Sequence, residues 1–238
     1  MRYSTLDWVR RVGCSGALAA LCMVQPVQAR DAPQPADQAP VSALAGEYVH
    51  SEMELVAGIL LRSDGTFEYG LTVGSLDQRA SGRWKRAGNR IELTSDPAPV
   101  APTITPGPIT ASPGEPFAIR VVAPGGSDVP GVDFRIEFDS GEPLESYSPG
   151  GPWSLPDGET RVPRFVTFAM PAYRLQSDRL PLDAKPGTTA SFALTPNDFG
   201  VADLTGVVGE IGGDTLVLRR PEGVMEFRRR KAEPTDPS

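Results

Sequence analysis

Thr66-Phe67-Glu68-Tyr69-Gly70-Leu71-Thr72-Val73 is the stretch that decides the fold. Phe67, Tyr69, Leu71 and Val73 take every second position, the period of a strand with one face in a core and the other in water. Upstream, Ile59-Leu60-Leu61-Arg62 runs into Ser63-Asp64-Gly65, and an Asp-Gly pair favours the positive φ of a tight hairpin. Downstream come Gly82-Arg83-Trp84-Lys85, a turn at Ala87-Gly88-Asn89, and Ile91 and Leu93 alternating with Arg90, Glu92 and Thr94. Residues 46 to 95 therefore predict a meander of about five strands. Such a meander leaves two unpaired edges and an incomplete core, so it needs partners. The far end of the chain supplies them: Val207 to Ile211, Leu216 to Arg219 and Met225 to Arg228, separated by turns at Gly212-Gly213-Asp214 and Pro221-Glu222-Gly223. Five strands and three make about eight, a number that closes into a small barrel.

The residues between have their own alternation: Phe117, Ile119 and Val121; Val132, Phe134, Ile136 and Phe138; Val166, Phe168 and Met170; Ala190, Phe192 and Leu194. Short alternating strands separated by Pro- and Gly-rich turns predict a β-sandwich. The expected fold is all-β, a discontinuous small antiparallel β-barrel of about eight strands interrupted by a β-sandwich domain. From Asp96 to Pro116, Pro97, Pro99, Pro102, Pro106, Pro108 and Pro113 argue against regular strand pairing and for a linker. The predicted division is residues 1–29 signal peptide, 30–45 Pro-rich tether, 46–96 and 204–231 the two parts of the barrel, 97–116 linker, 117–203 inserted sandwich and 232–238 polar tail.

Asp64-Gly65-Thr66-Phe67, Gly82-Arg83-Trp84, Ile91-Glu92-Leu93 and the Leu216 to Arg228 hairpin resemble the small lipocalin-like, or calycin-like, barrels of bacterial exported proteins. Lipocalins carry their Gly-x-Trp on the first strand, whereas Gly82-Arg83-Trp84 falls near the fourth, so the resemblance implies the barrel shape only, and a lipocalin ligand pocket is not carried over. The strand-turn-strand from Val122 to Val132 is similar to transthyretin-like and other immunoglobulin-like bacterial modules.

Arg2, Arg10 and Arg11 precede an uncharged stretch from Val12 to Val24, and Val27-Gln28-Ala29 before Arg30 suits signal peptidase. That stretch is shorter than the roughly 18 residues of a membrane-spanning helix. The expectation is export by the general secretory route, cleavage after Ala29, and a periplasmic or secreted protein with no transmembrane anchor. Both cysteines, Cys14 and Cys22, lie in this segment without the residues that lipoprotein processing requires, so the mature chain is expected to rely on its apolar core without disulfides. Cleavage removes three arginines and Asp7, taking the formal charge from −7 to −9, which argues against nucleic-acid binding.

The mature residues staff few chemistries. Without cysteine and with His50 as the one histidine, a Cys nucleophile and a multi-histidine zinc site are excluded. His50, between Val49 and Ser51, reads as a solvent-facing strand residue. No Gly-x-Ser-x-Gly elbow, phosphate-cradling loop or Asp-x-Asp-x-Asp-Gly calcium loop occurs. Asp128, Asp133, Glu137, Asp139 and Glu142 cluster in sequence, and paired carboxylates hydrolyse glycosides. Asp133, Glu137 and Asp139 alternate with the apolar face of their strand, so their plain reading is its solvated side. Tyr48, Phe67, Tyr69 and Trp84 are expected to fill the barrel rather than line a ligand cavity, since eight strands enclose little more than their own side chains.

Arg219, Arg220, Arg228 and Arg230 form a local basic cluster in an acidic chain. They would either dock an acidic envelope protein or surface glycan, or guard a terminal edge strand against aggregation. The functional expectation is a non-catalytic bacterial envelope binding or accessory protein using no metal and no cofactor. The alternative is a carboxylate-dependent hydrolase acting on an envelope polymer.

Overall fold

The computed structural model describes residues 41–231. The predicted signal peptide, the tether as far as Pro40 and the polar tail lie outside the described residues. Residues 41–45 depart from the tether expectation, because Val41–Leu44 form one helical turn, α1. Its end is held from two sides: the Tyr48 hydroxyl donates to Leu44 O at 2.9 Å, and Arg229 Nη2 donates to Ala43 O at 2.8 Å and Ala45 O at 2.6 Å.

Five antiparallel strands follow, β1 (Gly46–Glu52), β2 (Leu55–Leu61), β3 (Thr66–Val73), β4 (Leu76–Ala87) and β5 (Arg90–Ser95). The β2–β3 hairpin turns where the Asp-Gly pair requires it, with Gly65 at φ +81° and Asp64 Oδ1 accepting from Thr66 N at 2.9 Å and Thr66 Oγ1 at 2.7 Å. Those two bonds satisfy the turn from within and hold the Asp64 carboxyl below its usual range. Between β4 and β5 the backbones come so close at Gly82 that a Cβ there would overlap the Thr94 carbonyl oxygen.

The chain then leaves the barrel for β6 (Thr103–Ala111), β7 (Ala118–Val122), β8 (Asp133–Phe138), β9 (Leu144–Tyr147), β10 (Trp153–Ser154), β11 (Pro163–Met170), β12 (Leu175–Gln176), β13 (Leu180–Pro181) and β14 (Thr188–Thr195). They make two sheets, one ordered β10-β7-β14-β6 and one ordered β12-β11-β8-β9, with β13 also paired to β11. Side chains from both sheets share one core, in which Phe168 and Phe192 meet at 4.7 Å between ring centroids. One expectation fails here. The proline-rich stretch is not an unpaired linker, since β6 runs antiparallel to β14 from Thr103 to Ala111. It is tolerated because β6 lies at the sheet's edge, where a residue without an N–H can face away from its neighbour, and because the register shifts between Ala190 and Phe192 beside Pro106.

β15 (Val208–Gly212), β16 (Thr215–Arg220) and β17 (Gly223–Arg229) return to close the barrel in the order β1-β17-β16-β15-β5-β4-β3-β2. The fold is thus all-β, an eight-stranded closed antiparallel barrel interrupted by a sandwich. Tyr48, Phe67, Trp84, Leu93, Leu216 and Phe227 are each at most 3 % exposed and interlock inside the barrel.

The two connections are fastened to the barrel wall. β4 continues past the end of β5, and the returning chain pairs there: Arg79 N donates to Gly200 O and Ala202 N to Arg79 O. Arg174, at φ +61° after a short 3₁₀ turn, donates to Val201 O and Pro99 O, both at 3.2 Å, joining the outgoing and returning segments. Gln78 Nε2 donates to Ala172 O at 2.7 Å, and Tyr173 stacks on Phe199 at 4.0 Å.

Candidate functional site

The arginines of the last hairpin are not gathered into one patch. Arg219 pairs with Val224 across β16–β17, and Arg228 with Thr215, so they occupy opposite ends of the hairpin. Each has an acidic neighbour: Glu210 at 3.5 Å from Arg219, Glu226 at 3.8 Å from Arg228, and Glu47 at 2.9 Å from Arg230. Arg220 turns inward, its side chain 13 % exposed, and donates from Nη1 to the Tyr69 hydroxyl at 2.9 Å. It plugs one mouth of the barrel. Burial raises the pKa of Tyr69, and the Arg220 charge opposes that rise only in part. The reading of these arginines as edge protection is also corrected, because β17 is paired on both sides, to β16 and to β1.

The β1–β17 seam is short. Its register pairs are Tyr48 with Arg229 and Val49 with Arg228, and no pair is registered beyond Val49. His50 takes over there. A carbonyl only accepts, so Nδ1–H donates to Glu226 O at 2.7 Å, while Nε2 lies 3.3 Å from Glu52 Oε1 and the ring tilts onto Phe227 at 6.0 Å. With its side chain 15 % exposed, His50 is not the solvent-facing residue expected from sequence but a clasp across the seam.

The acidic cluster is likewise dispersed. Asp128 forms a bidentate pair with Arg120 at 2.8 Å, Glu137 accepts from Arg179 at 2.8 Å, and Asp139 Oδ1 accepts from Val162 N at 3.2 Å. Glu142 contributes its carbonyl oxygen to Arg161. Among the described residues no group of three or more His, Cys, Asp or Glu side chains is arranged to hold a metal ion.

Asp133 and Glu137 are the exceptions, for both line an open trough of about 720 Å³ on the outer face of the second sheet, and of the two only Asp133 lacks a side-chain partner. The backbone register builds this trough. Asp133 pairs with Tyr147 on one side and Ala169 on the other, Ala169 pairs with Gln176, and the next row pairs Glu145 with Arg135 and Arg135 with Thr167. Small Ala169 and Thr167 form the floor beside longer side chains. Tyr147, 62 % exposed, stands at the β9 edge. Arg135 and Glu145 meet at 3.4 Å with both side chains more than half exposed, a weak pair that leaves most of the guanidinium donors open. Of these residues only Asp133 and Glu137 were candidates from sequence. Tyr147, Thr167 and Gln176 were missed because strand register, which brings them together, is not written in any local pattern.

No protein-family model, no curated protein and no solved structure matches this chain.

Proposed function

We propose that this protein is an exported, non-catalytic binding or accessory protein of the bacterial envelope, working through outer surfaces rather than through a barrel cavity. One observation carries the reading: the barrel interior is filled by its own aromatic and aliphatic side chains, with Phe227, Leu216 and Leu218 fully buried and Arg220 across a mouth. Ligand recognition then falls to the exterior, where the sandwich trough presents uncommitted polar groups and an exposed ring. The eight-stranded closure supports kinship with lipocalin-like exported barrels. The two-sheet insertion supports an immunoglobulin-like module carried on that barrel.

The test is retention from a native envelope fraction on the immobilised chain beginning at Arg30. The expected result is saturable capture of a component that elutes chemically unchanged, with binding reduced by Tyr147→Ala. Capture abolished instead by Arg228→Ser and Arg230→Ser together would move the site to the last hairpin. No saturable capture would overturn the reading. A second reading, a carboxylate-dependent hydrolase, is favoured by Asp133, Glu137 and Glu145 sharing the trough. It requires turnover that Asp133→Asn abolishes.

A further inference from the structure

We infer that the trough on the β12-β11-β8-β9 sheet is a binding site for a neutral, hydroxyl-rich glycan chain, an inference that rests on the binding reading above and names its ligand class. The geometry supplies the length. Neighbouring strands lie about 4.8 Å apart, so the row from Gln176 through Ala169 and Asp133 to Tyr147 spans roughly 14 Å, enough for consecutive sugar rings. The side chains supply the chemistry. A pyranose has an apolar C–H face and an equatorial belt of hydroxyls. The exposed Tyr147 side chain offers a flat apolar surface for the first, and Asp133, whose carboxylate makes no hydrogen bond or ion pair with any described residue, is an open acceptor for the second. A carboxylate accepting from a hydroxyl makes a charge-assisted bond, and Arg135 and Gln176 can donate to ring and hydroxyl oxygens in the same rows.

Other occupants fit less well. Asp133 and Glu145 outnumber Arg135, and Glu137 is already neutralised by Arg179, so the trough repels a polyanion such as a nucleic acid or an acidic polymer. An amphipathic helix or acyl chain needs aliphatic contact, and the floor offers Ala169 and the Thr167 methyl only. Strand addition needs a free edge, whereas the trough lies on a sheet face.

The experiment uses the full mature chain and three soluble probes, the hexasaccharides of α-1,4-glucose, β-1,4-glucose and β-1,4-N-acetylglucosamine, followed by backbone amide shifts. The expected result is saturable shifts confined to β8, β9, β11 and β12 with at least one probe. Tyr147→Ala and Asp133→Asn should each weaken that binding about tenfold without changing the melting temperature. Tyr147→Phe should retain it, which separates ring stacking from loss of the hydroxyl. Failure of all three probes, or binding indifferent to both substitutions, overturns the assignment, as does equal binding of polygalacturonate. If the probes fail while envelope capture still depends on Tyr147, the glycan assignment falls and the binding reading stands. If a probe binds and is cleaved, glycan recognition holds and the non-catalytic reading falls.

Discussion

Trp84 fills the barrel at 3 % exposure, and its indole N–H donates to Arg62 O at 3.0 Å. Trp84→Ala should therefore cost roughly 3–5 kcal/mol, read from urea unfolding with an unchanged slope. Its burial was legible from sequence, because Gly82-Arg83-Trp84-Lys85 leads into an alternating strand. Glu159 was not legible, since its environment is set by a loop. Arg161 donates to it from Nη2 at 2.6 Å and from Nε and the backbone N, both at 2.9 Å. These bonds, the side-chain ones first, lower its pKa from 4.5 to about 2. A depressed carboxyl adds stability that is complete above its unfolded value and is lost as pH falls from 4.5 towards 2. Thermal melts across that window should show the wild type losing stability faster than Glu159→Gln, the two curves converging at the acid end. Parallel curves would mean that the pair does not survive in solution.

At the scale of elements, the seam between β1 and β17 has the fewest register pairs of the barrel's joins, and His50 bridges it where the register stops. Removing one hydrogen bond of this kind costs roughly 0.5–1.5 kcal/mol. His50→Ala should accordingly speed amide exchange along β17 while leaving β8 and β11 unchanged. Uniform acceleration would show that the clasp is global. The strands themselves were largely readable. Thr66 to Val73 carried β3 in its period of two, and Leu216 to Arg228 carried β16 and β17. β6 was hidden by Pro106 and Pro108, because a proline count reports missing N–H donors but not which side of a strand lacks a neighbour. The trough was half hidden for a related reason. Asp133 announced itself as an outward residue, but Tyr147 lies opposite it only through the register of the β8–β9 pair, and Gln176 joins the row only through the pairing of β8 with the sequence-distant β11.

For the whole molecule, the cores of barrel and sandwich are made of separate sets of residues, and Ala202, Leu204 and Val207 from the returning segment belong to the barrel's. Replacing residues 97–201 with a short Gly-Ser linker should thus leave a barrel that unfolds cooperatively, monitored by Trp84 fluorescence and circular dichroism. Non-cooperative unfolding would show that the latch at Arg174 is needed for closure. The interruption also sets a timetable. A chain that emerges N-terminus first at about 5–20 residues per second exposes β1 to β5 several seconds before β15 appears, because about a hundred residues intervene. Throughout that interval the apolar faces of Phe67, Tyr69 and Trp84 lack their covering strands, while the sandwich has all of its own once β14 has emerged, before β15 appears. The inserted module therefore has its full set of strands before the barrel does.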